Sequence, residues 1–199
     1  GISSTINNAF VCKEEMQEKY PDAEICVFDS ICASGGHGLL IYHAIENKKK
    51  GMSVKENMQA LEELKHRIVH KFTVDDLTYL QRGGRISKTA AVIGGMIQLK
   101  PVLHVDTEGR LAAESKVRGR KKALNQLLAE MDICTGSYAD KQDVVLICHA
   151  DCPEDAEYVR AKVEEKYHPN KIIMSEVGPI VGAHVGPGTM VLIFEGDKR

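Results

Sequence analysis

Apolar positions recur at helical intervals in roughly the first third of the chain and in short strand-like runs after it. Ile6, Ala9 and Phe10 mark a first helix after Ser3-Ser4-Thr5, and Ser34 to Lys50 reads as a helix that opens on glycines. Ser53-Val-Lys-Glu56 has the form of a capping box, in which hydroxyl and carboxylate each satisfy an otherwise unpaired N–H. Val54, Met58, Leu61, Leu64 and Ile68 follow it at helical spacing. Within Tyr20 to Asp29, the run Ile25-Cys-Val-Phe28 suits a buried parallel strand. The order helix, strand, helix, helix is that of an α/β unit.

From Val69 the period shortens. Phe72 to Val74, Val102 to Val105, Leu111 to Val117, Val144 to Cys148, Ile172 to Val177 and Met190 to Phe194 predict six strands. Asp106-Thr-Glu-Gly109 joins two of them as an antiparallel hairpin. One interrupting helix carries Leu124, Leu127, Leu128 and Met131. The other starts near Pro153, with Glu154 and Asp155 in its first turn, and carries Ala156, Val159, Val163 and Tyr167. The expected fold class is α/β, with a soft boundary near Arg67. Residues 1–67 read as the C-terminal part of a parallel α/β first domain. Residues 68–199 read as a second α/β domain with a six-stranded mixed or antiparallel sheet and flanking helices.

Charge removes one class of partner. The 26 basic and 28 acidic residues leave a formal net charge of -2, and with no Trp and 5% aromatics the chain supplies neither a global positive field nor stacking platforms for bases. Nucleic acid is not an expected partner. No apolar run approaches the roughly 20 residues that span a bilayer, so stable membrane insertion is not expected and a cytoplasmic location is. The six cysteines contain no C-x-x-C pair and read as reduced core thiols.

Several segments carry candidate chemistry. Glu176 to Gly188 holds four glycines, two prolines and the single imidazole of His184; it is either a buried turn or a loop that brings backbone and one hydrogen-bond donor to an anion. Arg82 and Arg85 bracket Gly83-Gly84, where a guanidinium can meet a carboxylate or phosphate or simply be solvated. Thr89 to Ile97 follows as a helix apolar on every face, with Gly94 and Gly95 admitting a neighbouring helix or an acyl chain. Ser3, Ser4 and Thr5 stand at a helix start, whose unpaired N–H groups accept either a plain cap or a bound carboxylate. Arg118, Arg120, Lys121 and Lys122 form a basic cluster at a strand-to-helix junction, either a solvated edge or a contact for an acidic partner. His149-Ala-Asp151-Cys152 has no base positioned by sequence to make a nucleophile, and no serine elbow, phosphate loop or metal spacing occurs.

Taken in order, Ser3-Ser4-Thr5, Arg82-Gly-Gly-Arg85-Ile-Ser-Lys88, the Lys116 to Lys122 run and Gly182-Ala-His184-Val-Gly-Pro-Gly188 make the chain resemble the DegV family of bacterial fatty-acid-binding proteins. The resemblance implies a long-chain fatty acid as ligand, no other cofactor and no chemistry by the protein alone. It implies presentation of the carboxylate to a separate ATP-dependent fatty acid kinase subunit, which releases acyl-phosphate for phospholipid synthesis. The family motif is Ser-Gly-Thr, and Ser3 matches the serine whose hydroxyl bonds the carboxylate; Ser4 stands where the family has glycine, and Thr5 closes the motif. Arg82 and His184 are the other expected head-group residues. Family members carry roughly a further third of a protein ahead of this motif, so the first domain is expected to be incomplete here.

Magnitudes divide the labour. Burying about 14 methylenes at ~0.8 kcal/mol each contributes on the order of 11 kcal/mol before ordering costs. One charge-assisted hydrogen bond to the head contributes about 1.5–3 kcal/mol. The tail sets affinity and the head-group residues set orientation. The competing expectation is an enzyme acting on a small phosphorylated or carboxylated metabolite, with His184 as general acid and Arg82 as anion clamp.

Overall fold

Six strands form one mixed sheet in the order β3-β2-β1-β6-β4-β5, seen in a computed structural model that describes residues 1–87 and 99–199. The strands are β1 (Ile68–Thr73), β2 (Leu99–Val105), β3 (Leu111–Arg118), β4 (Val144–His149), β5 (Lys171–Glu176) and β6 (Met190–Glu195). Only β4 and β5 pair in parallel; every other neighbouring pair is antiparallel. The β2–β3 pair is the hairpin expected around Asp106, whose carboxylate accepts the backbone N–H groups of Glu108 and Arg110 and closes the turn. Those N–H bonds, from Arg110 above all, hold the Asp106 carboxyl below the usual carboxylate range.

The described helices are α1 (Thr5–Lys19), α2 (Gly35–Lys49), α3 (Val54–Leu64), α4 (Thr78–Arg82), α5 (Arg120–Thr135), α6 (Pro153–Tyr167) and α7 (Pro179–Val185). The capping box at Ser53 is complete: its hydroxyl accepts the Glu56 N–H, and Glu56 accepts the Ser53 N–H at 2.8 Å. Ile68 does not extend α3; it opens β1, because the helix ends at Leu64 and the chain turns through Lys65 to Arg67.

Alternation along β1 explains the two layers. Ile68 and Phe72 join Leu39, Leu40, Leu61 and Leu64 on one face of the sheet, beneath α2 and α3. Val69 joins Leu124, Leu127, Met131, Val159 and Val163 on the other, beneath α5 and α6. A central strand covered on both sides reads as a continuous buried run, and all six residues of β1 are buried. The core therefore continues across Arg67, where the sequence places its boundary. Lys71 faces the α5 side, only 1% exposed, and its ammonium meets both Glu114 carboxylate oxygens at 2.7 Å, with Glu130 at 3.7 Å.

Two expectations are corrected. Residues 24 to 33 form no strand: the apolar Val27 and Phe28 are partly buried, but the segment pairs with no strand among the described residues. Cys12 and Cys26 are exposed, whereas Cys134 and Cys148 are the buried thiols expected; all six are free. The apolar helix expected over Thr89 to Ile97, together with Lys88, lies outside the described residues. Among the described residues, no helix is long and apolar enough to cross a membrane.

Candidate functional site

Ser3 and Thr5 are joined at the start of α1. The Ser3 hydroxyl lies 2.8 Å from that of Thr5 and accepts the Thr5 backbone N–H at 3.2 Å, while Ser4, the residue just ahead of the helix, makes no side-chain cap. All three side chains are exposed. Ser3 and Thr5, but not Ser4, border a cavity of about 410 Å³ whose apolar wall comes from Ile2, Ile6, Ala9, Val27 and Phe28. Ser3, Thr5, Ser30 and His37 give the same cavity a polar side. An apolar wall with a few convergent hydroxyls is the lining an amphiphile requires.

The segment from Asp29 to Ser34 shapes this cavity. Ser30 is buried; its hydroxyl accepts the Cys32 N–H at 3.3 Å and lies 3.2 Å from Nδ1 of His37 in the first turn of α2. Ile31 and Ser34 both take positive φ, of 46° and 48°. Arg199 holds the segment, bonding the Ile31 carbonyl and, at 2.8 Å, that of Lys65. Burial pushes the Cys32 thiol up to about 11 against the opposing pull of Arg199, so it is not a thiolate. Ser30 and His37 carry no signal in the sequence beyond proximity to a glycine-rich helix start.

The arginine motif folds into a helix end. Gly84 takes φ of +72°, the Gly84 N–H bonds the Gln81 carbonyl and the Arg85 N–H bonds that of Leu80, the pattern that closes a helix through a left-handed glycine. Arg85 folds back to donate to the Gly83 carbonyl at 2.5 Å. Arg82 is exposed on the last turn of α4. The Asp76 carboxyl is held low mainly by the Thr78 hydroxyl and backbone N–H, helped by the nearby charges of Arg82 and Lys100. Gly84 to Ser87 line a second cavity of about 580 Å³ with Gly1, Ile2 and Leu111. Arg85, together with Arg110, thus brings a guanidinium to a cavity wall; neither Arg82 nor His184 lines these two cavities.

His184 belongs to α7, not to a loop. Gly178 is extended, Pro179 sits in the first turn where its missing N–H is not needed, and Gly186 at φ of +76° ends the helix. The glycines serve packing here: a Cβ on Gly186 would lie 2.6 Å from the Tyr79 ring, and one on Gly188 would lie 2.5 Å from the Asp75 carboxylate. A Cβ on Gly83 would lie 2.1 Å from Nδ1 of His184. The fold therefore seats the partly buried imidazole directly on the Arg82–Arg85 turn.

These segments meet at Gly1 and Ile2, which border both cavities. The N-terminal hydroxyls lie on one side of that pair and the arginine turn on the other. The basic cluster stands apart: Arg120 is held by Asp155 at 2.7 Å and by Asp75 at 3.4 Å, and Lys121 and Lys122 are exposed. Burial pushes the Cys152 thiol up against the pull of Arg120, which removes the nucleophile reading.

Comparison with known proteins bears on this arrangement. The family described as "Uncharacterised protein, DegV family" matches residues 1–197. A DegV domain-containing protein of Clostridium perfringens is 41% identical over 198 residues, covering 100% of this chain and 67% of that protein. The crystal structure of a DegV protein of Bacillus subtilis, named a fatty acid binding protein, is 29% identical with a TM-score of 0.81, covering 98% of this chain and 67% of that one. The Streptococcus pneumoniae fatty acid kinase (Fak) B3 protein, solved loaded with linoleic acid, shares the fold at 21% identity and a TM-score of 0.90, covering 98% of this chain and 68% of that one. The chain thus spans about two thirds of the length of these proteins.

Proposed function

The chain belongs to the DegV family, and from that membership we propose that it binds a long-chain fatty acid and performs no chemistry on it alone. The observation that carries the reading is the cavity of about 410 Å³ at the start of α1, apolar along Ile2, Ile6, Ala9, Val27 and Phe28 and polar at Ser3, Thr5 and Ser30. Its volume is within the range of small-molecule sites. The acyl chain lies along the apolar wall. Its carboxylate sits at the helix start, where the hydroxyls of Ser3 and Thr5 and the positive end of α1 favour an anion. Ser4, Arg82 and His184 stand outside this cavity and act on the presented acid from beyond its wall, with His184 seated on Gly83.

The finer part of the proposal is presentation. The bound carboxylate is offered to a separate ATP-dependent kinase subunit in the cytoplasm, as the name of the pneumococcal protein of the same fold suggests for that protein. The protein's task is then to bury the tail and orient the acid. Titration with palmitate and oleate, followed by calorimetry and native mass spectrometry, tests the binding. Saturable uptake of one fatty acid per chain, with no response to phosphate or simple sugars, is the expected result. A response to the small anions and none to the lipids would favour the metabolite enzyme. His184→Ala should weaken kinase-coupled phosphorylation more than lipid retention; equal losses would sink the division between tail and head.

A further inference from the structure

A separate cleft of about 320 Å³ opens where the two parallel strands end together. His149 and Glu176 are register partners at the carboxyl ends of β4 and β5. They form its wall with Asp151, Val177, Gly182 of α7 and Gly186 just past its end. The carboxyl end of parallel strands is where α/β sheets leave room for ligands, since the chain connections diverge there.

The lining decides the chemistry. No lysine or arginine contributes to it, whereas Asp151 and Glu176 place two exposed carboxylates on the rim. An anion would find no counter-charge. His149 is only 7% exposed, and its Nδ1 has no hydrogen-bond partner within the protein. His149 thus brings an unpartnered imidazole to the wall of the cleft. Among the described residues, no group of three or more His, Cys, Asp or Glu side chains is placed to hold a metal ion. A polar ligand with a hydrocarbon body bridges wider spacings than a metal does. Nothing lies within 4 Å of where a Cβ on Gly182 would stand, so a ligand can approach the backbone of α7 closely.

We propose that this cleft binds a small organic amine, its ammonium held between Glu176 and Asp151 and within reach of His149, and its methylenes packed against Val177. The site is distinct from the one proposed for the fatty acid. None of the residues lining this cleft borders either of the cavities beside Gly1 and Ile2, and His184 packs away from it, against Gly83.

Isothermal titration with 1,4-diaminobutane and n-butylamine, with butyrate as the anion of matching size, tests this on the wild type, Glu176→Gln and Gly182→Leu. The wild type should take up an amine saturably and ignore butyrate. Glu176→Gln should weaken amine binding by about tenfold or more while leaving palmitate binding unchanged. Gly182→Leu, whose side chain would occupy the cleft, should abolish amine binding, with thermal melts showing that both variants fold. The proposal is overturned if neither amine binds, if butyrate binds as well as the amines, or if both variants bind amine as tightly as the wild type.

Discussion

Gly83 and His184 are in such close contact that a single methyl group between them would not fit, and the backbone of Gly83, at φ of −71° and ψ of −9°, is one any residue can adopt. Gly83→Ala therefore acts through the imidazole it displaces and not through backbone strain. Its expected effect is a loss of coupled phosphorylation close to that of His184→Ala, with the double variant no worse than either single one. Additive losses in a double-mutant cycle would show that Gly83 does not act through His184. His70 is the other residue-scale test. It is buried beneath Gly36, and burial first, then the positive charge of Arg199, pushes its imidazole down to about 3. Burial also lowers His43. A lowered imidazole pKa means that the unfolded chain binds the proton more tightly. The contribution of neutral His70 is complete above its ordinary value of 6.5 and is lost as pH falls from there toward about 3. Urea unfolding at a series of pH values between about 7 and 4.5 should show stability falling by up to ~1.4 kcal/mol per pH unit from this group, and the slope should be shallower in His70→Leu.

Among the elements, the capping box of α3 is legible in sequence because its chemistry is local: Ser53 and Glu56 satisfy each other's backbone whatever lies beyond. Ser53→Ala should cost about 1 kcal/mol, read from the shift of the denaturation midpoint at unchanged slope. All six strands were legible for a similar reason, since runs such as Val144 to Cys148 are too short and too apolar to be surface helices. The short helices α4 and α7 were not. Five and seven residues give too few turns for a periodic signal, and both exist because they pack on each other through Gly83, Gly186, Tyr79 and His184. The run Ile25 to Phe28 misled in the opposite direction. An apolar run becomes a strand only where a neighbouring strand supplies its hydrogen bonds, and here Cys26, Val27 and Phe28 line a cavity instead.

For the molecule as a whole, Arg199 ties itself to the cavity loop 168 positions earlier through the Ile31 carbonyl, and to the end of α3 through that of Lys65. Arg199→Ala should leave the sheet intact yet loosen Ile31 to Ser34, lowering the local opening free energy by about 1–3 kcal/mol. Hydrogen exchange would show faster amides in that loop with β1 and β6 unchanged; uniform protection would mean that the tail does not hold it. Sequence alone determined the six strands of the sheet, the long helices and the motifs that carry the family resemblance, since these follow from local pattern and residue identity. Only the tertiary structure decided that Arg85 and not Arg82 reaches a cavity wall, that Ser30 and His37 join Ser3 and Thr5, and that His184 rides a helix seated on Gly83. Those outcomes depend on which backbone surfaces approach within a few ångströms, and packing sets such distances between residues far apart in the chain.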